Sequence, residues 1–82
     1  MSTLPVKVEP LAVSVSFPDA ARLLVKLADG REISVPVVWF PRLAEANAEQ
    51  RAEYSLIGGG IGIHWPAIDE DLSVGGLLRG DN

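Results

Sequence analysis

The feature that most constrains this chain is a two-residue alternation of apolar side chains over residues 11–17, 22–27 and 32–37. The side chains predicted to face inward are Leu11, Val13, Val15 and Phe17, then Leu23, Val25 and Leu27, and finally Ile33, Val35 and Val37. Successive side chains of a strand point to opposite faces, so each segment predicts a strand with one buried face. Together the segments predict an antiparallel three-stranded meander.

The loops of this meander are predicted from turn chemistry and register. A Pro-Asp pair at 18–19 suits the two central positions of a type I turn. At the next loop, a two-residue turn would place apolar side chains opposite polar ones. A three-residue loop over 28–30 instead pairs Val25 with Ile33 and assigns Gly30 to the left-handed position of a bulge. We therefore predict the three-residue loop.

Short helices are predicted in the second half of the chain. Pro41 suits a first helical position, and Asn47 with Gln50 forms a capping box. These signals predict two short helices, or one helix kinked near Asn47. Near the end of the chain, Ser73 is a candidate N-cap for a last helix that the leucines at positions 77–78 hold against the core.

A second pair of strands is predicted between these helices. Residues 54–57 and 61–65 are rich in apolar side chains and flank three consecutive glycines, which is typical of a hairpin. The predicted fold class is α+β, with an antiparallel three-stranded meander, a second strand pair and two or three short helices. We expect one domain over residues 1–82, with about 1–9 as a loosely ordered lead-in.

Composition limits the class of protein. The 82 residues include no cysteine, and 7 basic against 11 acidic side chains leave a net charge of −4. A core this small is economical or shared with a partner, which leaves a homodimer open. Direct binding of nucleic acid is not expected, because it needs clustered Lys and Arg. The longest apolar run, 37–40, cannot span a membrane, and the N-terminus is unlike a signal peptide, so a cytoplasmic location is predicted.

The acidic charge is concentrated in the second half. Residues 1–43 carry five basic and four acidic side chains, whereas residues 44–82 carry two and seven. The net charges of the two halves are therefore +1 and −5. An acidic surface on a small domain favours docking to a basic protein.

Four residues have the side chains for metal binding or acid–base chemistry, namely His64, Asp69, Glu70 and Asp71. A single His with no Cys is too few for the usual zinc sites, and three adjacent acids do not define a pair of opposed carboxylates. We therefore predict no catalytic residue, no metal site and no cofactor. Two interpretations stay open for the acids: a turn whose carboxylates accept backbone N–H groups before a helix, or a surface that recognises a basic partner.

Three more residues complete the candidate partner-binding set. Arg42 and Arg51 flank the helical segment and are either counter-charges for the acidic turn or solvated side chains. Trp65 lies beside the acids in the sequence, although at least one of Trp39 and Trp65 is expected in the core of a domain with so few aromatic residues.

Two motifs show a resemblance to a known family. The segments Trp39-Phe40-Pro41-Arg42-Leu43 and Gly60-Ile61-Gly62-Ile63-His64-Trp65-Pro66-Ala67-Ile68-Asp69-Glu70-Asp71-Leu72-Ser73 are similar to the small bacterial family catalogued as domain of unknown function 2442. The resemblance extends from about the first strand to Arg79. It implies an α+β domain that is sometimes joined to a helix-turn-helix domain and is often encoded beside another small protein. That setting implies a regulatory or toxin–antitoxin-like pair. The resemblance implies no particular enzymatic chemistry.

The function predicted from the sequence is a non-enzymatic protein-interaction module, regulatory and antitoxin-like, that binds a partner encoded nearby through residues 64–71. One alternative is a transcription-linked regulator that acts with a helix-turn-helix partner. The other is a small metal-dependent hydrolase that uses His64.

Overall fold

A computed structural model describes residues 10–80. The strands are β1 (Ala12–Asp19), β2 (Arg22–Leu27), β3 (Glu32–Pro36), β4 (Ser55–Ile57), β5 (Gly62–Trp65) and β6 (Glu70–Ser73). The α-helices are α1 (Pro41–Glu45), α2 (Ala48–Ala52) and α3 (Val74–Arg79), and 3₁₀ turns cover Val37–Trp39 and Pro66–Ile68. The lead-in predicted over residues 1–9 lies outside the described residues.

The strands form two antiparallel sheets, which we call sheet A (order β1-β2-β3) and sheet B (order β4-β5-β6). The predicted α+β class, the meander and the three short α-helices are confirmed. The predicted second strand pair is β4 with β5, and β6 adds a third strand that the sequence did not predict. No helix within residues 10–80 combines the length and the hydropathy that a membrane span requires.

The loop between β2 and β3 has the predicted register. Val25 pairs with Ile33 and Leu23 with Val35, so the apolar faces of the two strands agree. Gly30 has a φ of 94°, in the left-handed region that the bulge position requires. The three-residue loop is confirmed because the shorter turn would have moved one whole apolar face to solvent.

The predicted inward face of β1 is wrong at its start. A β-bulge between Ala12 and Ser14 reverses the alternation, so that Ala12 is buried and Val13 is 56% exposed. The Ala12 N–H donates to the Gly60 carbonyl at 2.8 Å. The backbones approach so closely here that a Cβ at position 60 would lie 2.5 Å from the Ala12 carbonyl oxygen.

The predicted turn at 18–19 is also misplaced, because β1 continues through Asp19. Asp19 pairs with Arg22, which leaves Ala20 and Ala21 as the loop. The Ala21 N–H donates to Asp19 Oδ1 at 2.8 Å, so the Asp side chain stabilises a turn that begins after it.

The helices follow their predicted caps. Asn47 and Gln50 form the capping box at the start of α2, and the Gly76 N–H donates to Ser73 Oγ at 2.8 Å at the start of α3. The prediction that both final leucines pack α3 against the core is wrong for Leu78, which is 42% exposed. Val74 is the second buried anchor beside Leu77, because it lies three residues before Leu77 on the same inner face of α3.

One hydrophobic core joins the two sheets with α1 and α3. Trp65 is its largest fully buried side chain, together with Leu23 and Val25 from sheet A and Leu43 from α1. Tyr54 and Phe17 pack against the same cluster while they remain partly exposed. The expectation that at least one of Trp39 and Trp65 lies in the core is thus confirmed by Trp65.

We predict that Gly60→Ala destabilises the fold by about 2 kcal/mol or more. A Cβ at Gly60 would lie 2.5 Å from the Ala12 carbonyl oxygen, on a backbone with a φ of 116°. Gly59→Ala is the matched control, because Gly59 also has a positive φ but its Cβ would meet open space. We expect about 1 kcal/mol for the control from backbone conformation alone. Urea unfolding measures both, and equal losses would contradict the close contact.

We predict that Asp29 stabilises the β2–β3 loop in a pH-dependent way. The Arg31 backbone N–H donates to Asp29 Oδ1 at 3.0 Å and the Arg31 Nε to Oδ2 at 2.8 Å. These hydrogen bonds, the backbone one first, hold the pKa of Asp29 below its usual value of 3.8. A lowered pKa in the folded state means that the contribution is complete above about pH 4 and is lost as the pH falls further. The difference in unfolding free energy between wild type and Asp29→Asn should shrink over that range, and a constant difference would contradict it.

Candidate functional site

The candidate residues His64 and Asp71 face each other on the outer side of sheet B. They are directly opposite across β5 and β6, and His64 Nδ1 contacts Asp71 Oδ1. The Asp71 N–H donates to Glu70 Oε1 at 3.2 Å and therefore points away from β5. His64 and Asp71 therefore form a pair without mutual backbone hydrogen bonds. In antiparallel sheets the side chains of such pairs lie closer together than those of hydrogen-bonded pairs. The imidazole and the carboxylate are both accessible, with side-chain exposures of 32% and 68%.

Asp69 and Arg42 form the next part of the site. Asp69 ends the 3₁₀ turn Pro66–Ile68 in the left-handed conformation, with a φ of 52°. Arg42 NH1 donates to the Asp69 backbone carbonyl, and the same nitrogen lies 3.9 Å from Asp69 Oδ2. The guanidinium thus holds the turn through the backbone, while the Asp69 carboxylate stays 91% exposed. The prediction that Arg42 meets the acidic segment agrees with this contact.

The acids themselves do not form the turn before a helix that one interpretation proposed. Glu70 and Asp71 belong to β6, and Ser73 rather than a carboxylate caps α3. Among the described residues β6 pairs with β5 on one side only, so its other side is an edge of sheet B. The segment forms a strand because it pairs with β5. Leu72 lies opposite Ile63 and Glu70 opposite Trp65, which places Leu72 and Glu70 on the inner side of sheet B.

A groove of about 430 Å³ lies along the free edge of β6. One wall is the segment Trp39–Pro41, and the other is formed by β6 and α3. We call it the acidic groove. It is lined by two acidic residues and one basic residue, Glu70, Asp71 and Arg79, and otherwise by Trp39, Phe40, Pro41, Leu72, Ser73, Gly76 and Leu77. The Trp39 indole is 38% exposed and packs edge-on against Phe40, with ring centroids 6.4 Å apart. The groove therefore combines an accessible aromatic side chain with carboxylates.

Trp65 does not belong to this surface, which corrects its place among the partner-binding candidates. Its side chain is fully buried, and the indole N–H donates to the Arg51 carbonyl at 3.0 Å. The alternation along β5 that turns His64 outward turns Trp65 inward. Trp39 is the accessible tryptophan near the acids, and it was not among the predicted site residues. Its position two residues before Pro41, which starts a helix, is the signal that could have placed it at a surface corner.

Arg51 lies apart from the acidic residues, so its predicted role as their counter-charge is wrong. Its guanidinium donates to the carbonyls of Leu43 at 3.0 Å, Ala20 at 3.1 Å and Ala44 at 3.4 Å, and it stacks on Phe17 at 5.1 Å. These contacts place it in a second groove, of about 800 Å³, between β1 and the two helices α1 and α2. Four alanines of the helical segment form the wall of this second groove.

The acidic groove brings carboxylates and an indole together. Within residues 10–80 no three His, Asp or Glu side chains group as metal ligands would. The glycines at 58–60 form the β4–β5 hairpin loop, with the Gly60 N–H donating to the Ile57 carbonyl at 3.0 Å. A basic side chain entering the groove would meet carboxylates at its edge and an indole beside it.

Comparison with known proteins assigns the chain to a family. The family model described as a protein of unknown function, DUF2442, matches residues 12–82, so the chain belongs to this family, as the two motifs indicated. A crystal structure of a protein of unknown function from Rhodospirillum rubrum is 32% identical, with a TM-score of 0.78 and 90% of each chain covered. A solution structure of an uncharacterised protein from Chromobacterium violaceum is 27% identical, with a TM-score of 0.72, covering 85% of this chain and 65% of that one. No curated protein matches the sequence significantly.

We predict that the His64–Asp71 pair contributes little to stability. Both side chains are accessible, and exposed ion pairs are worth about 0–1 kcal/mol. The double variant His64→Gln with Asp71→Asn should therefore unfold within about 1 kcal/mol of wild type in urea. Trp65→Phe is the contrasting variant, since it removes a buried hydrogen bond and packing area and should lose about 1–3 kcal/mol. A loss above about 2 kcal/mol for the His64–Asp71 variant would show a structural role instead.

Proposed function

We propose that this protein is a non-enzymatic interaction module that binds a basic partner protein in the acidic groove. The observation that carries the proposal is the placement of Trp39 and the carboxylates of Glu70 and Asp71 around one groove. Protein interfaces commonly combine a central aromatic anchor with charged groups at the rim. The groove offers both within reach of one short basic segment.

The charge of the acidic segment favours a positively charged partner. Asp69 and Asp71 are largely exposed, and the chain carries a net charge of −4. His64 and Arg42 contact the acids and Arg79 lines the groove, but the three acids at positions 69–71 outnumber these two arginines. The acidic segment therefore retains negative potential, which steers a basic surface toward it and makes binding sensitive to salt.

The finer parts of the proposal concern the biological role. We propose a regulatory, antitoxin-like role in the cytoplasm with a partner encoded nearby, in line with the genetic setting that the family resemblance implies. A helix-turn-helix partner is the alternative form of the same interaction. The two forms differ in whether the captured partner itself binds DNA.

The acidic side chains are tested by removing charge without removing hydrogen-bond acceptors. We expect the triple variant Asp69→Asn, Glu70→Gln, Asp71→Asn to bind the partner about tenfold more weakly, because three exposed pairs at about 0.5 kcal/mol each are lost. The matched control is Glu45→Gln, Glu49→Gln, Glu53→Gln, three exposed acids of the helical segment. Affinity is measured by calorimetry on the partner that co-purifies from the native host.

The control variant should keep wild-type affinity, and binding of the wild type should weaken at high salt. Trp39→Ala should weaken binding by more than tenfold if the indole is the anchor, since such residues contribute about 2 kcal/mol or more. Equal affinity of the two triple variants would contradict the proposed site. A tagged chain that recovers no partner would contradict the proposed function.

A further inference from the structure

The two sheets have four edge strands, and three of them carry protection against pairing with another chain. Exposed edges are commonly blocked by charged residues, prolines, bulges or side chains that occupy backbone groups. In β1 the Val15 N–H donates to the Tyr54 hydroxyl at 3.1 Å, and the strand has two bulges. β3 carries Glu32 and ends at Pro36. In β6 the Asp71 N–H is already occupied by Glu70.

The fourth edge, β4, is protected only by its short length within residues 10–80. Its three residues, Ser55, Leu56 and Ile57, are uncharged and all exposed, with Leu56 at 36% and Ile57 at 45%. Its pairing with β5 is regular. An uncharged, regularly paired edge leaves its outward backbone groups available to an additional strand.

The backbone groups that β4 offers to such a strand belong to Leu56. The Ile57 carbonyl accepts from Gly60 inside the hairpin and therefore faces β5. Because backbone groups alternate along a strand, the N–H and C=O of Leu56 face the opposite way, toward the free edge. A donor and an acceptor on the same residue suit a partner strand that runs antiparallel.

A second copy of this chain matches the edge residue by residue. Antiparallel pairing about a two-fold axis at Leu56 sets Leu56 against its own copy, with both hydrogen bonds exchanged, and sets Ser55 against Ile57. No charged side chain meets its like, because Glu53 lies opposite the position of Gly59 and the two Glu53 residues are at opposite ends of the pair. The apolar side chain of Leu56 thus meets its own copy, and Ser55 meets Ile57 without a charge conflict.

We propose that β4 pairs with β4 of a second copy and joins the two copies of sheet B into one continuous antiparallel sheet. A contact of so few residues lies below the size of stable interfaces, so the dimer is weak and concentration-dependent. The net charge of −4 on each chain repels the copies at long range. Salt therefore strengthens self-pairing, whereas it weakens the binding of a basic partner.

The test is sedimentation velocity at protein concentrations from about 10 µM to about 1 mM, the range for weak interfaces, at low and high salt. The average mass of the wild type should rise from 8.8 kDa toward twice that value, and more so at high salt. Leu56→Lys and Leu56→Glu should each lower the association constant by about tenfold or more, since like charges would meet at the axis. Val13→Lys is the matched control, because Val13 is an exposed aliphatic residue of another edge strand.

Mixing the two variants gives the sharpest result. Residue 56 meets residue 56 only in the two-fold arrangement, so a mixture of Leu56→Lys and Leu56→Glu should regain association through opposite charges. Circular dichroism checks that each variant is folded. If either is not, a synthetic chain with N-methylated Leu56 removes the outward N–H and keeps the side chain.

Three results would overturn the proposal. The first is that the wild type keeps the mass of one chain at about 1 mM and high salt. The second is that association persists in both single variants or in the N-methylated chain. The third is that a mixture of the two folded variants does not associate. The triple variant of the acidic segment should associate at least as well as wild type. Failure of self-pairing is thus distinguishable from failure of partner binding.

Discussion

The buried indole of Trp65 is the interaction on which the rest of the structure depends. The ring contacts Phe17 of sheet A and Tyr54 before β4, with centroids 6.5 and 6.4 Å away. Its N–H must find an acceptor inside the protein, because an unpaired buried donor would lose about 1–3 kcal/mol. The acceptor is the Arg51 carbonyl in α2. One side chain therefore connects both sheets to the helical segment and fixes their distance.

The polar groups around Trp65 propagate this constraint to the surface. The hydrogen bond from Trp65 holds the backbone of Arg51. The Arg51 guanidinium in turn donates to the carbonyl of Leu43 in α1 and to that of Ala20, in the loop between β1 and β2. The Tyr54 hydroxyl reaches the Val15 N–H on the edge of β1. An inward Trp65 also requires an outward His64, since neighbouring residues of a strand face opposite sides. The surface that carries His64 and the core are thus on the two faces of the same strand.

The parts of the fold that the sequence predicted are those with local causes. The three-residue loop followed from the clash of apolar and polar faces, and the capping box from the chemistry of Asn47 and Gln50. The bulge at Ala12 has a distant cause, the approach of Gly60, which no residue near Ala12 in the sequence indicates. β6 was missed because Glu70 and Asp71 have low strand propensity, and pairing with β5 overrides that propensity. For the site, the acids and Arg42 were predicted, whereas the burial of Trp65 and the position of Arg51 depend on tertiary packing.

The two edges of sheet B differ in which groups they can offer to another molecule. On β6 the outward N–H of Asp71 donates to Glu70, and Arg42 donates to the carbonyl of Asp69. Pairing through the main chain is therefore obstructed there, and the proposed binding of a partner uses the side chains. On β4 the side chains are uncharged, and the outward backbone of Leu56 is what remains available. β5 lies between the two edges and separates them by one strand. The two proposed contacts, one through charged side chains and one through the backbone, would therefore lie on opposite sides of sheet B and would not compete for the same groups.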